Sequence, residues 1–364
     1  MDVTKKHIAL AGVLAIAAGA ASASEDYDLR YAPGIGGADM SAPFEGGWVF
    51  QAPTYVYSGH VHSSTQTVTN LNNAPFNVPI PGATATTTVD ANTQMNVYGL
   101  LPRLSFMSST TFLGAQVGGT AMLPLINKKN NASIRSVTTT VNAPGLPDAM
   151  AQPIAAAITG AATQQADQLA AGNSNSSGGI GDFEISPILR WSTDNTQTLF
   201  IATVVAPTGE YSTNKSANPS AGKFWTFRPA VQYSYIGDGW DFGGRAAFSV
   251  NTTNTKTHYR TGDYVDLDAT LMKSITDGLR LGLSGYAIAQ TTRDTRTQDP
   301  TDPVVIARQA GTIGQKGHVA GLGPEVAYIH GAGDYLLDGR VMKEFAASDR
   351  PEGFTAVITL SKPF

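Results

Sequence analysis

Side-chain character alternates along the end of this chain. In Gly353-Phe-Thr-Ala-Val-Ile-Thr-Leu-Ser-Lys-Pro-Phe364, the residues Phe354, Ala356, Ile358 and Leu360 fall on one parity and Thr355, Val357, Thr359 and Ser361 on the other. A period of two predicts an extended strand rather than a helix. The closing aromatic, Phe364, is of the type that hands a barrel strand to the barrel-assembly machinery of the bacterial outer membrane. The opposite end carries an independent signal: Lys5 and Lys6, an apolar run over 8–18, then the small residues Ala21-Ser22-Ala23. That is the layout of an export signal, with cleavage expected after Ala23 and Ser24 as the first mature residue.

The rest of the chain keeps the same period. Alternating segments fall near 48–59, 94–105, 111–123, 181–191, 198–207, 224–235, 240–251, 264–274, 279–290, 319–328, 335–345 and 354–364. Each is close to the roughly 9–11 residues that a tilted strand needs to cross a bilayer. Beyond the signal segment no apolar run reaches the length of a spanning helix. Connections alternate between tight and long, with the tight ones at 107–110, 193–196, 237–239, 276–278 and 331–333, rich in the Gly and Asp residues that tolerate positive φ. Short turns on one end and long loops on the other mark an outer-membrane barrel, with the short turns in the periplasm. The expectation is all-β: a transmembrane antiparallel up-and-down barrel of about twelve strands. Outer-membrane lipids would be its solvent.

Three parts follow from this reading: a signal peptide at 1–23, an irregular tail at 24–46, and a barrel at 47–364 whose surface loop 127–178 carries a helix. The tail holds Pro33, Gly34, Gly36, Gly37, Pro43, Gly46 and Gly47, too many breakers for a strand or helix. It is either a periplasmic arm or a plug folded into the lumen. In the loop, Ile154, Ile158, Ala162, Ala166 and Leu169 lie roughly along one helical face of the segment 148–171. That helix is either a solvated surface element or a lid over the mouth.

Parity assigns side chains to lipid or lumen. In 224–235, Trp225, Phe227, Pro229, Val231, Tyr233 and Tyr235 share one face; in 240–251, Trp240, Phe242, Ala246, Phe248 and Val250 do. These are the lipid faces. Segment 198–207 is apolar on both parities and leaves its register open. Trp191, Tyr235, Trp240 and Phe364 fall at the turn ends, where amphipathic rings sit at the membrane–water boundary. The polar parity collects Arg103, Glu184, Arg190, Arg228, Arg245, Asp266, Asp268, Arg280, Glu325, Asp338, Arg340 and Glu344 as lumen-lining candidates. Both signs are mixed, so the set does not make a one-sign ion filter. Such charges must be hydrated or paired.

No catalytic or metal constellation emerges. The chain has 6 His and 0 Cys, so thiolate sites and disulfides are excluded. His60 and His62 share a strand face without a nearby carboxylate in sequence, which fits loop surface better than a metal site. The glycines of Gly178-Gly-Ile-Gly181 and Gly321-Leu-Gly323 lack the helix and Lys-Ser of a phosphate loop. Neither an enzyme nor a cofactor is expected. The formal charge of -4 gives no reason to expect nucleic acid, and the oligomeric state is not readable.

The segments Gly179–Trp191 (GIGDFEISPILRW), VVAPTGEY at 204–211, KFWTFRPAVQYSY at 223–235, TGDYVDLD at 261–268, LGLSGYA at 281–287, GLGPEVAY at 321–328, RPEGFTAVITLSKPF at 350–364 and YAPGIGGADMSAPFEGGWVFQAPTYVYSG at 31–59 together resemble the outer-membrane family named for the meta-pathway of phenol degradation. The resemblance implies a barrel channel that takes up small hydrophobic or aromatic permeants rather than an enzyme. It carries over no functional residues. The Ala-rich stretch 148–171 and Lys362, where an apolar residue is common, depart from the family pattern. A general narrow porin and a closed structural or adhesive barrel remain the alternatives.

Overall fold

The computed structural model describes residues 23–27, 29–41, 46–309, 311–331 and 333–364. The expected signal segment therefore lies outside the described residues, apart from Ala23.

Twelve antiparallel strands close into a barrel. Around the ring they are β1 (Gly47–Asn70), β3 (Arg103–Phe112), β4 (Ala115–Met122), β7 (Glu184–Ser192), β8 (Thr196–Val205), β9 (Thr226–Gly237), β10 (Trp240–Asn251), β12 (Tyr264–Ser274), β13 (Leu279–Gln290), β15 (His318–His330), β16 (Tyr335–Ser348) and β17 (Glu352–Pro363). The ring closes where β1 pairs β17, from Val49↔Pro363 to His60↔Glu352. Closure leaves no free strand edge in the bilayer, where an unpaired backbone amide has no water to turn to. The outer face carries exposed Phe227, Val231, Leu271, Leu283, Val341 and Ile358, while their neighbours Arg228, Thr270, Arg340 and Val357 are buried. No helix among the described residues is long and apolar enough to cross a membrane.

Beyond the ring, one quadrant grows outward. β1 continues past its barrel partner, and β2 (Thr84–Leu100), β5 (Leu125–Asn142) and β6 (Asn175–Ile180) extend the same sheet in the order β1, β2, β5, β6. Each added strand is a prolongation of a barrel strand across a short break: 101–102 joins β2 to β3, 123–124 joins β4 to β5, and 181–183 joins β6 to β7. Three prolines sit along this row. Leu101 N–H donates to Pro53 O at 2.9 Å, Leu123 N–H to Pro102 O at 3.2 Å, and Gly181 N–H to Pro124 O at 2.8 Å. A proline offers its carbonyl but no N–H, so the ladder here can bond in one direction only.

This corrects the surface loop 127–178: residues up to Asn142 and from Asn175 are strand, and only the middle is helical, α1 (Asp148–Asn173). The helix is neither a lid nor freely solvated. It packs on the projecting sheet through Ile158, Ala162 and Ala166 against Val89, Ala85 and Leu71, with Ile134, Val137 and Val141 flanking. The small residues let the helix sit close to the strands; Ala170 is buried where Leu169 was expected. Apolar burial of this kind contributes roughly 1.5–3 kcal/mol per large side chain.

Two further corrections concern connections. The tight turn expected at 107–110 is strand: β3 runs on through an irregularity after Met107, and the chain reverses at Leu113-Gly114, both with positive φ. The outer connection between β16 and β17 is only residues 349–351, reversing at Asp349 with φ 52°. Long and short connections thus do not alternate at that last pair. The open register of 198–207 resolves as β8, with Phe200 exposed and Thr203 buried. A helix α2 (Pro303–Gln309) and a two-strand ribbon, β11 (Tyr259–Arg260) with β14 (Thr295–Arg296), shape the outer loops.

Candidate permeation site: the lumen and its tail

The inward side chains of the barrel meet the N-terminal tail. Its outer end lies among the loops, where Glu25 accepts hydrogen bonds from Asn254, Thr257 and Gln309 at 2.9, 3.0 and 3.2 Å and Asp26 pairs with Arg308 of α2. Further along, Arg30 pairs with Asp182 at 3.1 Å and lies 4.0 Å from the Phe224 ring centroid. Tyr31 reaches Asp268 and Arg245 at mid-barrel. Gly34 and Ile35 present their carbonyls to Arg340, at 2.9 and 2.6 Å. Near the turn end, Ala38 N–H donates to Glu325 at 2.7 Å, Gln232 donates to Met40 O at 3.1 Å, and Asp39 pairs with Arg103 at 2.8 Å. The tail then enters β1 at Gly47, on the same end as Phe364. A breaker-rich sequence suits this path, because an irregular backbone exposes its carbonyls and amides to the charged wall.

Nine of the twelve charges singled out in sequence converge on the tail or on each other beside it. Arg228 donates to Ser249 at 2.9 Å, faces Glu184 at 3.5 Å and donates to Arg30 O. Arg245 pairs with Asp268 at 2.7 Å and donates to Tyr31 Oη at 2.5 Å. Asp266 is buried with no hydrogen bond among the described residues; its charge faces Arg228 and Arg245. Arg340 is wedged between Asp338 and Glu325 as well as the tail. The other three sit apart from it. Arg280 pairs with Asp241, Arg190 donates to Gln116 at 3.0 Å, and Glu344 accepts from Tyr57 and Tyr286 at 2.9 and 2.8 Å. Gly321 makes room for that Tyr286 ring: a Cβ there would lie 2.6 Å from it.

Trp191, Trp240 and Phe364 are exposed, Tyr235 is half-buried, and Trp191 Nε1–H donates to Leu113 O at 3.2 Å. Trp48 and Phe106, 4.7 Å apart, extend the same band. His60 and His62 stand 5.0 Å apart on the exposed face of β1 above the barrel, and no group of ligands for a metal occurs among the described residues.

Among the described residues, two cavities flank the tail. The larger, ≈ 700 Å³, opens at the turn end and is lined by Gln51, Arg103, Ser105, Thr120, Arg190 and Gln232 together with Val49, Met107, Ile188 and Ile201. The smaller, ≈ 160 Å³, lies towards the outside and is mostly apolar, with Tyr55, Met95, Val97, Leu101, Met122, Pro124 and Ile126 on the wall and Leu29, Ala32 and Pro33 on the tail. Leu101, Pro124 and Gly181 of this lining belong to the proline-interrupted row. Tyr31, Met122 and Glu184 line both cavities and separate them.

Residues 80–360 match the family described as "Putative MetA-pathway of phenol degradation". The chain belongs to this family. No curated protein matches its sequence. Among solved structures, the COG4313 outer membrane channel from Pseudomonas putida F1 shares the fold, with a TM-score of 0.55 at 13% identity over 91% of this chain and 100% of that one. The Pseudomonas putida toluene transporter TodX, at TM-score 0.36, 10% identity and 96% and 97% coverage, and a Pseudomonas aeruginosa FadL homologue, at 0.35, 9%, 86% and 89%, lie too far in shape to support any argument. A closed barrel of this family with an apolar outer face is a bacterial outer-membrane protein.

Sequence parity found the wall charges but not their tail partners. Arg30, Tyr31 and Asp39 were hidden because an irregular segment has no period from which a side chain's direction can be read. Met122 and Leu101 were hidden because each borders a break whose only sequence mark is a following proline.

Proposed function

We propose that this barrel is a channel for passive uptake of small hydrophobic compounds, with aromatic ones as the favoured class. The observation that carries this reading is the outer cavity: an apolar chamber set directly behind the part of the wall where prolines thin the hydrogen-bond ladder. Side chains generally fill the interior of a small barrel, whereas here Met95, Val97, Leu101, Met122 and Ile126 leave unfilled apolar space. An apolar solute gains free energy by leaving water for such a surface, at roughly 25 cal/mol per Å². The family's tie to phenol degradation points to the same class of solute. The mixed charges below act as clamps on the tail rather than as a filter, and the tail acts as an internal partition that a solute passes at Tyr31, Met122 and Glu184.

Proteoliposomes holding the purified protein test this directly. Uptake of a small monoaromatic such as phenol should exceed that of a sugar of similar mass, and Met122→Arg should depress aromatic uptake by about tenfold or more. Equal permeation of both solutes would indicate a general porin. No permeation of either, in a barrel shown to be folded, would indicate a closed structural barrel.

A further inference from the structure

The outer end of the tail holds an unexplained carboxylate. Asp294, in the loop between β13 and β15, is fully buried, as is the tail residue beside it, Ser24. Its Oδ1 accepts two hydrogen bonds, from Gly262 N–H and from Gln290 Nε2, both at 2.7 Å. The Gln290 amide is itself oriented, because its Oε1 accepts from Gly317 N–H at 2.7 Å. The backbone of Asp294 is fixed too, donating to Gln315 O at 3.1 Å and accepting from Gly314 N–H at 2.9 Å. The second oxygen, Oδ2, takes a bond from the tail, Ser24 N–H at 2.6 Å. Among the described residues no side-chain cation pairs with this carboxylate.

Neutral donors orient a buried carboxylate without cancelling its charge, and an uncompensated charge in such a place is costly. Burial accordingly pushes the Asp294 carboxyl above its ordinary range, against the hydrogen bonds that hold it down. A cation where Ser24 N lies would offset that cost. The sequence supplies one, since Ala21-Ser22-Ala23 predicts cleavage of the peptide bond whose nitrogen is Ser24 N. Hydrolysis there puts water's hydroxyl on the Ala23 carbonyl carbon and leaves the nitrogen as a primary amine. That amine takes up a proton at neutral pH.

We propose that Asp294 is a built receptor for the α-ammonium that export processing creates at Ser24. Before processing the same nitrogen is a neutral amide, and Ala23 ahead of it is itself buried with its N–H donating to Asp349 O at 2.7 Å. Processing would thus place a cation on Asp294 at the outer mouth and strengthen the hold on the tail's far end. Glu25 and Asp26, next in the chain, then fasten to Asn254, Thr257 and Arg308 on either side.

The test uses the mature protein purified from outer membranes. Mass spectrometry of its N-terminal peptide should show Ser24 as the first residue; a different start would overturn the proposal. The reactivity of that amine towards an acylating reagent is then measured across pH 6–9 in the folded barrel. A paired ammonium should titrate above the ordinary α-amine value of about 8 and react slowly, and Asp294→Asn should raise the rate near neutral pH at least tenfold. A second variant, with two glycines inserted between Ala23 and Ser24, keeps Asp294 intact but moves the ammonium out of place, and should react as fast as an unstructured peptide. Equal rates in the native protein and in either folded variant would show Asp294 to be an ordinary loop organiser and would overturn the assignment.

Discussion

The half of the barrel from β9 to β17 and the half from β1 to β7 are made of the same element in two different ways. In the first, strands are of near-uniform length, parity is clean, and inward charges pair tightly with one another beside the tail, as in Arg245–Asp268 and Arg340–Asp338. In the second, strands overrun the bilayer, break at prolines and rejoin as a projecting sheet capped by α1. The regular half is a wall and an anchor for the tail. The irregular half holds the apolar chamber, because a wall that keeps perfect pairing and parity has no place to open space on its inner side. The route proposed here runs through the part of the barrel that gives up regularity.

Substitutions that separate the two halves can break that contrast. The largest effect is expected for Arg340→Ala, which strands Asp338 and Glu325 inside the wall and releases Gly34 and Ile35. Removal of one partner from a buried ion pair costs about 3–5 kcal/mol, discounted here wherever lumen water reaches the site. The barrel should unfold at lower urea, read by loss of heat-modifiable mobility on gels. Ile158→Asp comes next: it buries a charge between α1 and the projecting sheet and should cost roughly 2–4 kcal/mol in that lobe. Proteolysis should then nick 143–174 on intact cells while the barrel keeps its heat-modifiable form. Cleavage of the barrel strands themselves would show that the lobe is not a separate unit.

Arg228→Ala and Arg245→Ala should act on flux more than on stability. Both hold the tail at mid-barrel, Arg228 through Arg30 O and Arg245 through Tyr31 Oη, so conductance in planar bilayers should rise by a few-fold. Each loss should cost about 1–3 kcal/mol. An unchanged conductance in both would mean that the tail is held elsewhere. Val231→Ala, on the lipid face, should change stability by no more than about 0.5 kcal/mol and leave flux alone.

The same contrast explains what could be read in the chain. Segments 240–251, 264–274 and 279–290 coincide with β10, β12 and β13, because in the regular half one face meets lipid, the other meets charge, and tight turns at Asp238-Gly239, before β10, and at 276–278, between β12 and β13, bound them. The irregular half defeats that reasoning. Its outer strands meet water and α1 instead of lipid, so 84–93 and Leu125–Asn142, rich in Thr and Asn, look like loop, and the single strand read at 94–105 is broken at 101–102 between β2 and β3. Lumen charges were legible as a set, since an inward parity is enough to find Arg228 or Glu325. Their role was not, because it depends on where an aperiodic tail places Gly34, Tyr31 and Asp39.

A single measurement bears most directly on the location of the route. The chain has 0 Cys, so single cysteines are clean handles. Aromatic uptake into proteoliposomes would be compared before and after a bulky thiol reagent reacts with Met122→Cys, between the two cavities, and with Val231→Cys, on the lipid face of the regular half. Modification at position 122 is predicted to abolish most of the uptake, and modification at 231 to leave it intact. Undiminished uptake after complete modification at 122 would contradict a path through the irregular half.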